Sequence, residues 1–280
     1  MASATLLSDR AVVEVAGPDA AKFLHGILTN DVKSQEAGEA RFAALLTPQG
    51  KIITDFFIFA KAAEDGLVFL LDCPAALKET LLDRLKFYKL RAAVTLADRS
   101  AEVSSIAIPE ATERPELDTI ALAPDPRAPT LGWRGLVTAE SAATVATAPR
   151  EIYDAKRIAA AAPDGGVDFD YGDAFPHEAN MDRLAGVDFK KGCFLGQEVV
   201  SRMKHRGPVR KRVTTFHAQG AAPAPGTPVK AGEVEIGVTG SAVGDEGLAL
   251  IRLDRLADAK AGGATPLAGG VALDFSVPEA

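Results

Sequence analysis

Cysteine is almost missing from this chain: Cys73 and Cys193 are the two among 280 residues. Two thiols far apart in sequence supply neither a disulfide framework nor a set of protein ligands able to hold a metal cluster within one chain. His177 and His205 are not arranged with carboxylates at metal-ligand spacing, so no metal ligand is expected. No run approaches the roughly 18 apolar residues of a membrane-spanning helix. The opening MASATLLSDRAVVEVAG lacks the basic start and long apolar stretch of a secretory leader. An excess of positive charge is absent too. With 31 Lys and Arg against 38 Asp and Glu, the formal charge of −7 argues against wholesale binding to nucleic acid or anionic membrane. These absences lead to the expectation of a soluble cytoplasmic protein with no membrane partner.

What is present is ordinary globular material, 47% hydrophobic and 25% charged, long enough for two or three structural units. RAVVEVAG predicts a strand, and PDAAKFLHGILTN a helix with Pro18 at its tolerated start. FAALLTPQGKIITDFFIFA holds two apolar runs around a Thr-Pro-Gln-Gly turn and predicts a hairpin, followed by a strand at GLVFLLD. PAALKETLLDRLKFYKL places Leu77, Leu81, Leu82, Leu85 and Tyr88 on one face of an amphipathic helix. A similar order recurs more weakly from about 103 to 146, compatible with a diverged internal duplication. Beyond the Pro, Gly and Ala-rich stretch 218–232, short strands without helical periodicity predict a small β-barrel that begins at VRKRVTTFHA.

Cys193 stands apart from Cys73, which sits in an apolar run. It lies in KKGCFLGQEVVSRMKHRG, between lysines, glycines and the start of a predicted helix. A helix N-terminus and nearby cations favour thiolate, so the thiol pKa is expected to be lowered. A structural turn is the alternative reading. From Arg202 to Arg212 the sequence carries Arg202, Lys204, Arg206, Arg210, Lys211 and Arg212 with no acid. Such a cluster fits RNA phosphates, or equally a solvated face.

Residues 190–212, KKGCFLGQEVVSRMKHRGPVRKR, resemble the signature of the folate-binding YgfZ family, relatives of the glycine-cleavage aminomethyltransferase, whose pattern is KGCYxGQE followed by a basic stretch. FLHGILTNDV, LLTPQGKIITDFFIF, YKLRAAVTL and FPHEANMDRLAGVDFKKGC match in the same order. The resemblance implies an α+β fold: two α+β units within 1–207, dividing near residue 100, and a C-terminal β-barrel in 208–280, around a central channel that takes tetrahydrofolate. It further implies an accessory role in assembly or repair of iron–sulfur enzymes, tRNA-modifying ones included, with Cys193 as the functional thiol.

Two departures separate the chain from the transferase pattern. An aspartate pair becomes Thr54 and Asp55, and a glutamate in an RLEAG segment is lost from RIAAA, residues 157–161. The resemblance then implies Cys193, Lys191 and Asp55 as the reactive set. Tyr153, Arg10, Asn30, Asp31, Glu178, Arg157 and Gln197 are the implied folate contacts, with Tyr153 and Arg10 standing where relatives carry tryptophan. Two alternatives remain open: a folate-dependent aminomethyltransferase using Asp55, and an RNA-binding module using the basic stretch.

Overall fold

The structure, a computed structural model, describes residues 3–64, 66–205 and 209–276. The chain runs β1 (Ala4–Leu6), β2 (Arg10–Ala16), α1 (Ala20–Ile27), β3 (Ala40–Leu46), β4 (Ile52–Ala63), β5 (Gly66–Pro74), α2 (Lys78–Lys89) and β6 (Thr95–Asp98). It continues through β7 (Val103–Ile108), β8 (Ala121–Pro124), β9 (Trp133–Thr138), α3 (Ala139–Val145), β10 (Ala146–Ala148) and α4 (Arg150–Ala159). One five-stranded sheet has the order β3-β4-β5-β2-β6 and the other β10-β1-β7-β9-β8. β1, first in the chain, pairs antiparallel with β7, so the polypeptide enters the second sheet before it builds the first.

Strand β4 shows why the two sheets face each other. Phe56 and Ile58 pack under Leu24 of α1 and Leu81 of α2, while Phe57 and Phe59 point the other way into a core shared with Phe42, Leu70 and Leu136. A strand buried on both faces carries a continuous apolar run instead of alternation, which is what TDFFIFA is. The α2 expectation holds for Leu81, Leu82 and Leu85, all buried; each such side chain contributes about 1.5–3 kcal/mol. Cys73 is fully buried in the same core, and burial pushes its thiol up to about 12.

Residues 160–196 form no helix or strand, yet their backbone is tied down. Asn180, at φ 58, donates through Nδ2 to the carbonyls of Ala161 (2.9 Å) and Val213 (3.0 Å) and accepts from Arg212 (3.0 Å). Asn tolerates this left-handed conformation better than most residues, and here its amide joins three segments. After α5 (Gln197–His205), strands β11 (Lys211–Ala218), β12 (Pro228–Ala231), β13 (Val234–Val243), β14 (Glu246–Arg252), β15 (Pro266–Ala268) and β16 (Val271–Ser276) close a six-stranded barrel. The α+β class with a terminal barrel is as expected. Two helices were not foreseen: α4, and α6 (Leu253–Ala261) inside the barrel region, which buries only Leu256 and so has no period to read.

The barrel is fastened by Asp168, whose Oδ1 accepts from the amide and hydroxyl of Ser241 at 2.7 Å each. A Cβ on Gly240 would stand 2.2 Å from that oxygen, so only glycine permits the approach.

Candidate functional site

A cavity lies where the sheets meet, lined by Arg10, Asp55, Arg127, Arg134, Tyr153 and Tyr171 among others. Strand parity puts Asp55 on the same side as Phe57, whereas Thr54 turns into the opposite core. Behind the cavity wall, Asp72 is fully buried and accepts from Arg10 Nε at 2.8 Å and Arg134 Nε at 2.7 Å. Burial alone would raise the Asp72 carboxyl; Arg10 and then Arg134 outweigh it and hold the group below the ordinary carboxylate range. The guanidinium of Arg134 rests 3.8 Å from the centre of the Phe57 ring, and that of Arg127 4.8 Å from it. Tyr153 completes the network by accepting from Arg127 (3.0 Å) and Arg134 (3.2 Å).

Asp55 differs from Asp72 because, among the described residues, no cation forms an ion pair with it. It accepts from the Tyr171 hydroxyl at 2.7 Å. Burial is the dominant influence and raises its carboxyl, against the opposing pull of Arg10 and Tyr171; burial and then Asp55 likewise push the Tyr171 phenol well up. Asp55 therefore takes up a proton more readily than an ordinary carboxylate.

The space left between these side chains is small. The water-accessible volume is about 40 Å³, enough for a few solvent molecules, whereas ligand pockets usually span about 300–1,000 Å³. Tetrahydrofolate, the cofactor implied by the family resemblance, does not fit a space of this size, which the side chains of Arg10, Arg127 and Arg134 narrow. A second, wider groove of about 420 Å³ lies between Asn30, Phe42, Val187, Phe189, Lys190 and Lys204. Phe42 lines both spaces.

The cysteine loop is built separately. Gly196, at φ +80, lies so close to the β3–β4 turn that a Cβ would be 2.7 Å from the Thr47 carbonyl, which seats the loop against the hairpin. Lys191 turns inward and donates Nζ to the carbonyls of His25 and Leu28, the latter at 2.5 Å, at the C-terminal end of α1. In return, His25 Nε2 meets the Lys191 carbonyl at 3.1 Å, and His25 Nδ1 lies 2.8 Å from Asp31. Burial pushes the Lys191 ammonium down to about 8, with Asp31 and Asp188 working the other way. Phe194 and Val200 anchor the far side in the core, and Cys193 is left exposed between.

These placements divide the expected residues. Arg10, Asp55 and Tyr153 line the cavity; Asn30 lines the wider groove, although its Nδ2 is engaged by the carbonyls of Phe42 (2.8 Å) and Ala185 (2.6 Å). Cys193 is among the lining residues of neither space. Lys191 is committed to helix carbonyls and not to the thiol. Asp31 holds its own turn: partial burial would raise its carboxyl, but Ser34 above all, with Lys33 and His25, holds it down at about 2. Glu178 accepts from the Phe175 amide at 2.9 Å, and Gln197 begins α5; both lie away from the two spaces. Arg157 is buried among Asp154 (2.7 Å), Asp164 (3.1 Å) and Asp168 (3.0 Å), a structural ion cluster.

The basic stretch also disperses. Arg212 points inward to Asp182 at 2.8 Å, Arg202 pairs with Glu198 at 2.7 Å, and Lys211 lies 3.9 Å from Asp173. Lys204 sits 3.7 Å over the Phe189 ring, Arg210 is exposed, and Arg206 lies outside the described residues. Among the described residues the stretch is thus not one run of unpaired cations. Sequence reading missed Asp72, Arg127, Arg134 and Tyr171. The available signal was a lone charge inside an apolar strand, as in LVFLLDC and WRGLVT.

Residues 7–119 match the family model of the GCVT N-terminal domain, and residues 210–280 that of the CAF17 C-terminal beta-barrel domain. The mitochondrial iron–sulfur cluster assembly factor IBA57 of Mus musculus is 33% identical over 89% of this chain and 77% of its own length. The IBA57 homolog of Pyricularia oryzae is 34% identical over 91% of this chain and 72% of that protein. This chain belongs to the aminomethyltransferase-like family that includes IBA57. Against the homolog of Mycosarcoma maydis it spans 57% of the relative's length, at 34% identity. The fold itself matches the crystal structure of glycine cleavage system aminomethyltransferase T from Bartonella henselae, with a TM-score of 0.75 over 98% of this chain and 85% of that one, at 17% identity. The family resemblance stands in this broader form; the narrower placement with YgfZ is not what these relatives support. The expected cytoplasmic location is overturned, because each named IBA57 relative is mitochondrial.

Proposed function

We propose that this protein is an accessory factor for the assembly or repair of iron–sulfur proteins, acting through the thiol of Cys193 and not through one-carbon chemistry in the central cavity. Its likeness to IBA57 assembly factors supports the first part. The observation that carries the second is the contrast between the two regions: an exposed cysteine on a clamped loop, and a cavity closed by paired arginines. The partner is an iron–sulfur client protein that meets the Cys193 loop. The tRNA-modifying enzymes implied by the resemblance belong among such clients, with no direct contact to tRNA required.

In a strain lacking this protein, wild-type chain should restore iron–sulfur enzyme activity and Cys193→Ser should not. Asp55→Asn should restore it nearly as well as wild type. Full rescue by Cys193→Ser, or failure confined to Asp55→Asn, would return the chemistry to the cavity.

A further inference from the structure

The end of α2 carries a tip that the fold does not use. Phe87 is 70% exposed and Leu90 87%, against 36–53% for the other exposed large apolar side chains. At 3.6 residues per turn, Phe87 projects from the side of α2 opposite the buried Leu81 and Leu85. Leu90 follows the helix at φ 47 and ψ −109, in the positive-φ region where glycine is the usual residue and a leucine is strained. Neither packing nor backbone preference accounts for a leucine there.

Charge singles out the same place. Residues 84–91, RLKFYKLR, hold four cations and no acid in a chain of net charge −7. Arg84, Lys89 and Arg91 make no ion pair among the described residues, and Lys86 meets Asp83 only at 3.4 Å. The neighbouring acid Asp19 is engaged by the Ala93 amide at 2.8 Å.

We propose that this tip is a peripheral membrane contact: Phe87 and Leu90 enter the headgroup region of an anionic bilayer while Arg84, Lys86, Lys89 and Arg91 meet lipid phosphates. A stable protein interface needs roughly 800 Å² per partner with matched shape. Two protruding side chains with a basic collar offer less than that, but a fluid lipid surface moulds to any protrusion. The acidic remainder of the molecule is repelled by the same surface, which fixes the orientation of approach. The expectation of no membrane partner rested on whole-chain charge and on the lack of a spanning segment. No helix among the described residues can cross a membrane, and neither argument bears on a local patch.

The test is co-sedimentation of the full chain with vesicles of equimolar phosphatidylglycerol and phosphatidylcholine, against phosphatidylcholine alone. Wild type should bind the anionic vesicles only, and less as salt rises. The double variant Phe87→Ser, Leu90→Gly should bind about tenfold more weakly while its thermal midpoint stays level or rises, since Leu90→Gly relieves strain. Arg84→Gln, Arg91→Gln provides a second route to the same loss should the first variant fold poorly. No binding to anionic vesicles, as an acidic protein partner would give, overturns the proposal. So does binding that the two variants leave undiminished.

Discussion

Asp72 and Asp55 stand on the same side of neighbouring strands, yet their environments part them. Asp72 is a buried anion between two guanidiniums, so Asp72→Asn leaves Arg10 and Arg134 as uncompensated buried cations. A loss of about 3–5 kcal/mol is expected in urea unfolding. His177 is a second buried polar residue, 2% exposed, with neither ring nitrogen hydrogen-bonded among the described residues. Burial lowers its pKa below the model-peptide value of 6.5, Asp182 acting in the opposite direction. The unfolded chain therefore takes up a proton that the folded chain refuses. The corresponding stability is present above about pH 6.5 and is lost as pH falls from there towards the lowered native value. Calorimetry at neutral and mildly acidic pH should show His177→Leu losing less stability on acidification than wild type; equal losses would remove His177 as the cause. At this scale the charges in apolar strands were visible in the sequence, but their pairing was not, because the partners lie more than 60 residues apart.

Among the elements, the short connection from Lys191 to Gly196 does most to present the exposed thiol. Its hold on α1 consists of charge-assisted bonds from one ammonium to two carbonyls, each worth about 1.5–3 kcal/mol. Lys191→Met should lower the global midpoint and accelerate amide exchange in 188–196 at least about tenfold, the protection one hydrogen bond gives. Unaltered exchange would mean that Gly196 and Phe194 suffice to seat the loop. The hairpin, α1, α2 and the barrel start were all legible, because each carries a period or a turn signature. The segment 160–196 was not: its order comes from Asn180, Asp168 and Arg157 reaching distant backbone and charges, which leaves no local pattern.

For the molecule as a whole, the barrel is joined to the rest by Asp168, which accepts from Ser241 and is held by Arg157, by Arg212, which reaches Asn180 and Asp182, and by Val213, Leu248 and Leu250 in the core shared with the sheets. Because that core is shared, Asp168→Ala should lower the denaturant midpoint while barrel and sheets still unfold in one transition; two separate transitions would show that Asp168 alone couples them. Tetrahydrofolate should give no thermal shift, since a site with room for a few waters cannot exchange its arginines for a pterin; a saturable rise in midpoint would show that the cavity opens. By itself the sequence determined the class of fold, the order of its main elements and the broad aminomethyltransferase-like family, though not the branch within it, since hydrophobic period, turn residues and a contiguous motif are local properties. Only the tertiary structure decided that Cys193 is exposed and lines neither the cavity nor the wider groove, that Lys191 serves a helix end, and that arginines occupy the cavity. Those outcomes depend on which distant charges meet when the sheets close, and burial then sets the energy of each encounter.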